Sequence, residues 1–158
     1  MKRINKILAN EDYIKYLNKN KEAEGNRIYC HHDIEHFLDV SRIAYIISLE
    51  ENLNANKEIL YAMGLLHDIG RWMEYESGID HALASKNLAE GILRDCDFSE
   101  SEIHEILTAI ESHRNIKSTS VLGDLLYRAD KLSRNCLHCS AIATCKKFQN
   151  KEVPVILY

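Results

Sequence analysis

The sequence predicts an all-α fold, a compact helical bundle, and three observations carry that prediction. Among 158 residues there is one proline, Pro154, four positions from the last residue. The six glycines do not gather into a linker, so helix breakers are scarce throughout. Between them run segments whose apolar residues recur at helical spacing, joined by short connections that set neighbouring helices antiparallel or at steep angles around one core.

Taken in order, residues 3–19 read as a first, more polar helix. "DIEHFLDVSRIAYIISLEEN" puts Ile34, Phe37, Leu38, Ser41, Ala44, Tyr45 and Ser48 on one stripe, which predicts a helix with a broad buried face. "NKEILYAMGLLHDIG" is the next, started by Asn54 or Asn56 and stopped at Gly70. "GIDHALASKNLAEGILRDC" follows. "SESEIHEILTAIESH" opens with Ser99 and Glu102 at capping-box spacing. "SVLGDLLYRADKLSRNC" is the last. The tail "EVPVILY" is read as extended and too short to support a sheet. The chain is expected to form a single domain over 1–158, its core spanning about 28–135, with a cysteine-containing segment over 136–158.

Hydrophobic residues make up 46% and charged residues 28%, an ordinary globular balance. A net charge of −4 gives no overall basic field of the kind that draws a protein to nucleic acid or anionic membrane. The first twenty residues hold no apolar run of signal-peptide or membrane-span length, so a cytoplasmic location is expected. In a reducing compartment, cysteines at CxxC spacing point to metal binding or redox chemistry more than to disulfides.

"GLLHDIGR" is the most informative stretch. His67 and Asp68 end an apolar helix beside Leu65, Leu66 and Ile69, where two polar groups are costly unless something satisfies them. Other helices offer partners: His36 between Ile34 and Phe37, His81 after Asp80, His113 ending "AIESH", and Asp130 between Ala129 and Leu132. Imidazole and carboxylate together suit iron, manganese, zinc, cobalt or nickel better than calcium.

The ordered set His36, then His67–Asp68, then Asp130 in "RADK", each on its own helix, resembles the HD superfamily of metal-dependent phosphohydrolases over about residues 28–135. The resemblance implies an all-α fold and hydrolysis of phosphate esters or anhydrides, mostly of nucleotides. With His81 and His113 between the HD pair and the last Asp, the chain is also similar to the binuclear subset. By that resemblance His36, His67, Asp68 and Asp130 hold one ion, and Asp68, His81 and His113 the second, with Asp68 bridging. Arg71 stands where many HD phosphodiesterases carry lysine. The GYP motif of the cyclic-dinucleotide branch is missing, which argues against that substrate.

The chemistry agrees with the resemblance. Two cations about 3.5–4 Å apart clamp a phosphoryl oxygen and activate water for in-line attack. Asp68 is thus both ligand and catalytic residue. Arg71, Arg114 and Lys131 are the cations nearest the ligands in sequence and are expected to hold phosphate oxygens; solvated helix ends are their blander explanation. Glu35, Glu74 and Asp80 are candidates for the general acid by sequence proximity. His31, His32, His104 and His138 match nothing in the pattern and are read as surface residues. Cys96 is read as a lone, partly buried thiol.

Cys136-x2-Cys139-x5-Cys145 is most of a metal knuckle that lacks a fourth ligand, with Cys30, Cys96, His138, His31 and His32 available. If His36 and Asp130 meet at one ion, Cys30 and Cys136 leave that point at equal sequence distance, so Cys30 is the expected partner. The chain also resembles small bacterial HD proteins with a cysteine-rich C-terminal segment and a cysteine just before the first ligand helix. Structural zinc and an iron–sulfur cluster both fit this spacing.

The leading expectation is a phosphohydrolase using one or two divalent transition metals on a small phosphorylated substrate, a nucleotide above all, with neither membrane nor nucleic-acid polymer as partner. The alternatives are a di-iron HD oxygenase, which shares the ligand set, and a non-catalytic metal- or redox-sensing module.

Overall fold

The computed structural model describes residues 1–114, 120–149 and 153–158, and among these no strand occurs. Its helices are α1 (Lys2–Ala9), α2 (Glu11–Ala23), α3 (Ile34–Glu50), α4 (Lys57–Leu66), α5 (Arg71–Ser77), α6 (His81–Asp95), α7 (Glu100–Ser112) and α8 (Val121–Leu132). The all-α expectation holds.

Local chemistry sets the helix starts. Asn56, not Asn54, caps α4, its side chain accepting from Glu58 N at 2.8 Å. Asn54 instead adopts a left-handed conformation in the preceding turn. Ser99 and Glu102 form the predicted capping box of α7. Two boundaries differ from expectation. The first predicted helix is two, because Asn10 leaves helical geometry to cap α2, accepting from Tyr13 N at 3.0 Å. The helix read through Gly70 ends at Leu66; a turn over 67–70 follows, and α5 begins at Arg71.

α4 is the central element, with Ile59, Leu60, Ala62, Met63, Leu65 and Leu66 all buried. It packs on α3 and α7, while α8 packs on α3 and α7 and α6 lies against α7. α1 meets α4, and α2 meets α5. Arg3 ties three helix starts together, donating to Glu58 Oε2 and Glu102 Oε2, each at 2.7 Å. This arrangement aims the end of α4 at the start of α3, the start of α6, the end of α7 and the last turn of α8. The C-terminal tail has no regular structure over 153–158, and Tyr158 Oη donates to Glu50 Oε2 at 3.0 Å. No described helix is long and apolar enough to cross a membrane.

Candidate metal centre

The turn after α4 is gripped by two close helix approaches, each permitted by a glycine. A Cβ on Gly64 would lie 2.4 Å from Ser41 Oγ and 2.9 Å from Ser41 Cα, so α4 meets α3 with no room for a side chain. A Cβ on Gly70 would lie 2.6 Å from Ser85 N and 2.8 Å from Ala84 C, which brings the start of α6 to the same turn. From α2, the buried Asn20 amide donates to Asp68 O at 2.9 Å and accepts from Trp72 N at 2.8 Å. His67 and Asp68 are therefore fixed from three sides.

The structure brings the six predicted ligands together, none more than 8% exposed. Two sets have ligand atoms within 4.8 Å of one another: His36, His67 and Asp68, and Asp68, His81 and His113. Asp68 Oδ2 lies 3.5 Å from His67 Nε2. Asp68 Oδ1 lies 3.3 Å from His81 Nε2 and 3.5 Å from His113 Nε2. Asp130 Oδ1 lies beside the first set, 3.3 Å from His36 Nε2 and 3.9 Å from His67 Nε2.

The far nitrogen of each ring decides what the near one can do. His67 Nδ1 donates to Gly64 O at 2.8 Å and His113 Nδ1 to Ile110 O at 2.6 Å. His81 Nδ1 faces Glu74 Oε2 at 2.5 Å. The Ser133 hydroxyl donates to Asp130 O, so at 3.2 Å it accepts from His36 Nδ1. With Nδ1 carrying the proton in His36 and His67, each of these Nε2 atoms turns a lone pair toward carboxylate oxygens, whereas His81 Nδ1 meets both Glu74 and the Arg71 guanidinium. The lone-pair contact is repulsive unless positive charge lies between. Burial pulls His36, His67 and His81 below the ordinary imidazole value, His67 to about 3, so these rings do not supply the charge by protonation. Burial also lowers His113, but Asp68 more than offsets this and raises it. Burial pushes Asp68 and Asp130 up, yet the imidazoles of His67 and His113 beside Asp68, and His36, Arg134 and Lys131 beside Asp130, hold both well below the usual carboxylate range. His36 Nε2, His67 Nε2 and Asp68 Oδ1 are buried without a hydrogen-bond partner. Inward lone pairs, ionised carboxylates and orphaned donor atoms together fit divalent cations.

A cavity of about 410 Å³ opens over Asp68, His81, His113 and Asp130. Arg71, Arg114 and Lys131 line it, and so do Tyr127 and Arg134, which sequence reasoning passed over. Lys131 Nζ and Arg134 Nη2 each donate to Asp130 at 2.7 Å. Arg71 Nη1 donates to Glu74 Oε2 at 2.6 Å, and Arg114 pairs with Asp80.

One expectation needs correction. His32 is not a surface residue: it is 6% exposed and forms part of the cavity wall. Its Nδ1 lies 2.5 Å from Glu24 Oε1, and its Nε2 lies 3.4 Å from Asp68 Oδ2. Glu24 also accepts from His32 N and from Tyr75 Oη, each at 2.7 Å. Burial pushes Glu24 up, but these bonds bring it down to about 2. None of the general-acid candidates Glu35, Glu74 and Asp80 lines this cavity. Glu35 is exposed and does not line this cavity, Asp80 caps α6, and Glu74 orients His81.

All five cysteines are free; Cys96 is buried, and Cys30, Cys136, Cys139 and Cys145 are half-buried. Cys30 and Cys139 line one cavity beside His31, His36 and His138. The four cysteines do not form a further ligand set within the 4.8 Å that unites each triad.

Comparison with known proteins gives these findings. The family model for the HD domain matches residues 33–135. A Clostridium beijerinckii protein, described as uncharacterized, is 44% identical over the whole of both chains. Ribonuclease Y of Acetivibrio thermocellus is 27% identical over 66% of this chain, which spans 18% of that relative. A crystal structure described as a predicted HD superfamily hydrolase, from an uncultured Thermotogales bacterium, aligns with a TM-score of 0.62 and 31% identity. That alignment covers 89% of this chain and 78% of the other.

Proposed function

The chain belongs to the HD-domain family, and from that premise we propose that it is a metal-dependent phosphohydrolase acting on a small phosphorylated compound, a nucleotide by preference. The observation that carries this reading is the set of three orphaned buried atoms, His36 Nε2, His67 Nε2 and Asp68 Oδ1, converging beside a cavity walled by cations. His36, His67, Asp68 and Asp130 would hold one ion, and Asp68, His81 and His113 a second, of the iron, manganese, zinc, cobalt or nickel class. Such ions supply Lewis acidity toward a phosphoryl oxygen and lower the pKa of bound water.

The chain's own residues do the rest. Arg71, Arg114, Lys131 and Arg134 offer positive charge around the cavity for non-bridging phosphate oxygens. Lys131 and Arg134 also balance Asp130, which keeps it ionised as a ligand. His32, oriented by Glu24, presents a ring nitrogen to the substrate beside Asp68. The cavity volume of about 410 Å³ suits a mononucleotide-sized ligand. The ribonuclease Y relatives are far longer proteins, and a net charge of −4 does not favour a nucleic-acid polymer here.

The test is a panel of nucleotides and simple phosphate esters, run on protein purified without air and supplied with Mn²⁺ or Fe²⁺. Metal-dependent phosphate release that disappears in Asp68→Ala is the expected result. Hydrolysis undiminished in Asp68→Ala, or no hydrolysis of any panel member by metal-loaded protein, overturns the proposal.

A further inference from the structure

Residues 133–149, which follow α8, form a segment that does not hold itself together. Its regular structure is two 3₁₀ turns, Ile142–Thr144 and Lys146–Phe148, and Ala141 is its one buried residue. Past Arg134, its hydrogen bonds to the rest of the described chain are long: Tyr29 Oη to Thr144 Oγ1 and O at 3.4 and 3.5 Å, and Lys147 Nζ to Lys131 O at 3.5 Å. Chain that buries so little apolar surface needs a covalent or metal staple to keep a defined course.

The cysteines sit where such a staple would act. Cys136 and Cys139 share a turn closed by Cys139 N donating to Cys136 O at 3.4 Å. Cys30, just ahead of α3, lines one cavity with Cys139. Its neighbour Tyr29 meets Thr144, the neighbour of Cys145, which lies between the two 3₁₀ turns. Cys136 is within electrostatic reach of the other three sulfurs: burial raises its thiol, Lys147 opposes this, and Cys30, Cys139 and Cys145 add to the rise. Four half-buried thiols, two of them from a CxxC turn, thus lie along two stretches of chain that meet at Tyr29 and Thr144, less tightly gathered than the ligand atoms of the triads.

We propose that Cys30, Cys136, Cys139 and Cys145 bind a second metal centre through four thiolates, as zinc or an iron–sulfur cluster, and so fasten residues 133–149 to the start of α3. This centre is separate from the histidine–aspartate triads and shares no ligand with them. It lies close to them through Arg134, which donates to Asp130 Oδ1 at 2.7 Å and lines one cavity with Cys30.

The experiment uses the full chain with Cys96→Ser, so that every remaining thiol is one of the four, purified without air. Metal, acid-labile sulfide and visible absorption are measured, alone and combined with Asp68→Ala. About one zinc, or about four irons with matching sulfide, should persist when Asp68 is replaced. An alkylating reagent should leave the four thiols unlabelled until metal is chelated, and Cys139→Ser should lose the bound metal. Prompt alkylation of all four thiols in the isolated protein, or metal content that falls to zero with Asp68→Ala alone, overturns the proposal. So does a disulfide among them, found by mass spectrometry. Labelling is read on protein retaining all four cysteines, so misfolding of Cys139→Ser cannot obscure the result. Because hydrolysis is not a readout, failure here is distinct from failure of the phosphohydrolase reading.

Discussion

His36 and His67 share one triad with Asp68, whereas His81 and His113 share the other and line the cavity. The first pair is oriented by uncharged groups, Ser133 Oγ and Gly64 O. In the second pair His113 also uses a backbone carbonyl, but His81 leans on the carboxylate of Glu74, which Arg71 shares. Burial lowers both rings of the first pair; in the second it lowers His81, while Asp68 raises His113. The contrast teaches that one half of the centre is oriented by uncharged groups alone, while the other leans in part on a carboxylate shared with an arginine. The first half should therefore be tied to stability, and the second to occupancy and turnover.

Asp68→Ala removes the atom pair that joins the halves, and the comparison should collapse: metal lost from both triads, and hydrolysis down by about 10³-fold or more. Next comes the split between single ligands. His67→Ala should lower both metal content and melting temperature, while His81→Ala should lose about half the triad metal and melt near the parent. Equal destabilisation by the two would break the distinction, with elemental analysis and calorimetry as the readouts. Glu74→Gln should sharpen it, weakening second-triad metal affinity by about 10- to 100-fold in a chelator competition while leaving the first triad filled. The smallest effect concerns acid stability. Glu24 falls from 4.5 to about 2 on folding, so its contribution is present above about pH 4.5 and is lost as pH drops toward 2. Glu24→Gln should therefore flatten the decline of stability across that window, as followed by denaturant unfolding at stepped pH. An unchanged slope would assign the acid limb to other carboxylates.

The motif ligands were legible because each is a polar residue set in an apolar helix, an arrangement that costs too much to be accidental. Other features were not written in local pattern. α5 has seven residues and no buried one, so no apolar stripe announces it. The break at Asn10 lies between two helices whose sequences are polar enough to read as one. His32 precedes α3 in irregular chain, and its burial comes from Glu24 and Asp68, which are distant in sequence or on another element. Arg134 was within reach of sequence reasoning, standing four residues after Asp130 and just past the end of α8. The general acid was sought among neighbours in sequence, and those neighbours turned out to cap a helix, orient a ring or face away.

The Asn20 side chain, bonded at one end to Asp68 and at the other to Trp72 at the start of α5, lies upstream of the span that identifies the family, residues 33–135. Glu24 and His32 lie upstream of it as well. The stretch by which this lineage is recognised is thus shorter than the stretch its centre requires. A fragment cut to the recognisable boundaries would keep every ligand of the motif and lose the buttress beneath them. Modularity in the family is a property of its signature, and the working unit in this chain reaches back to α2.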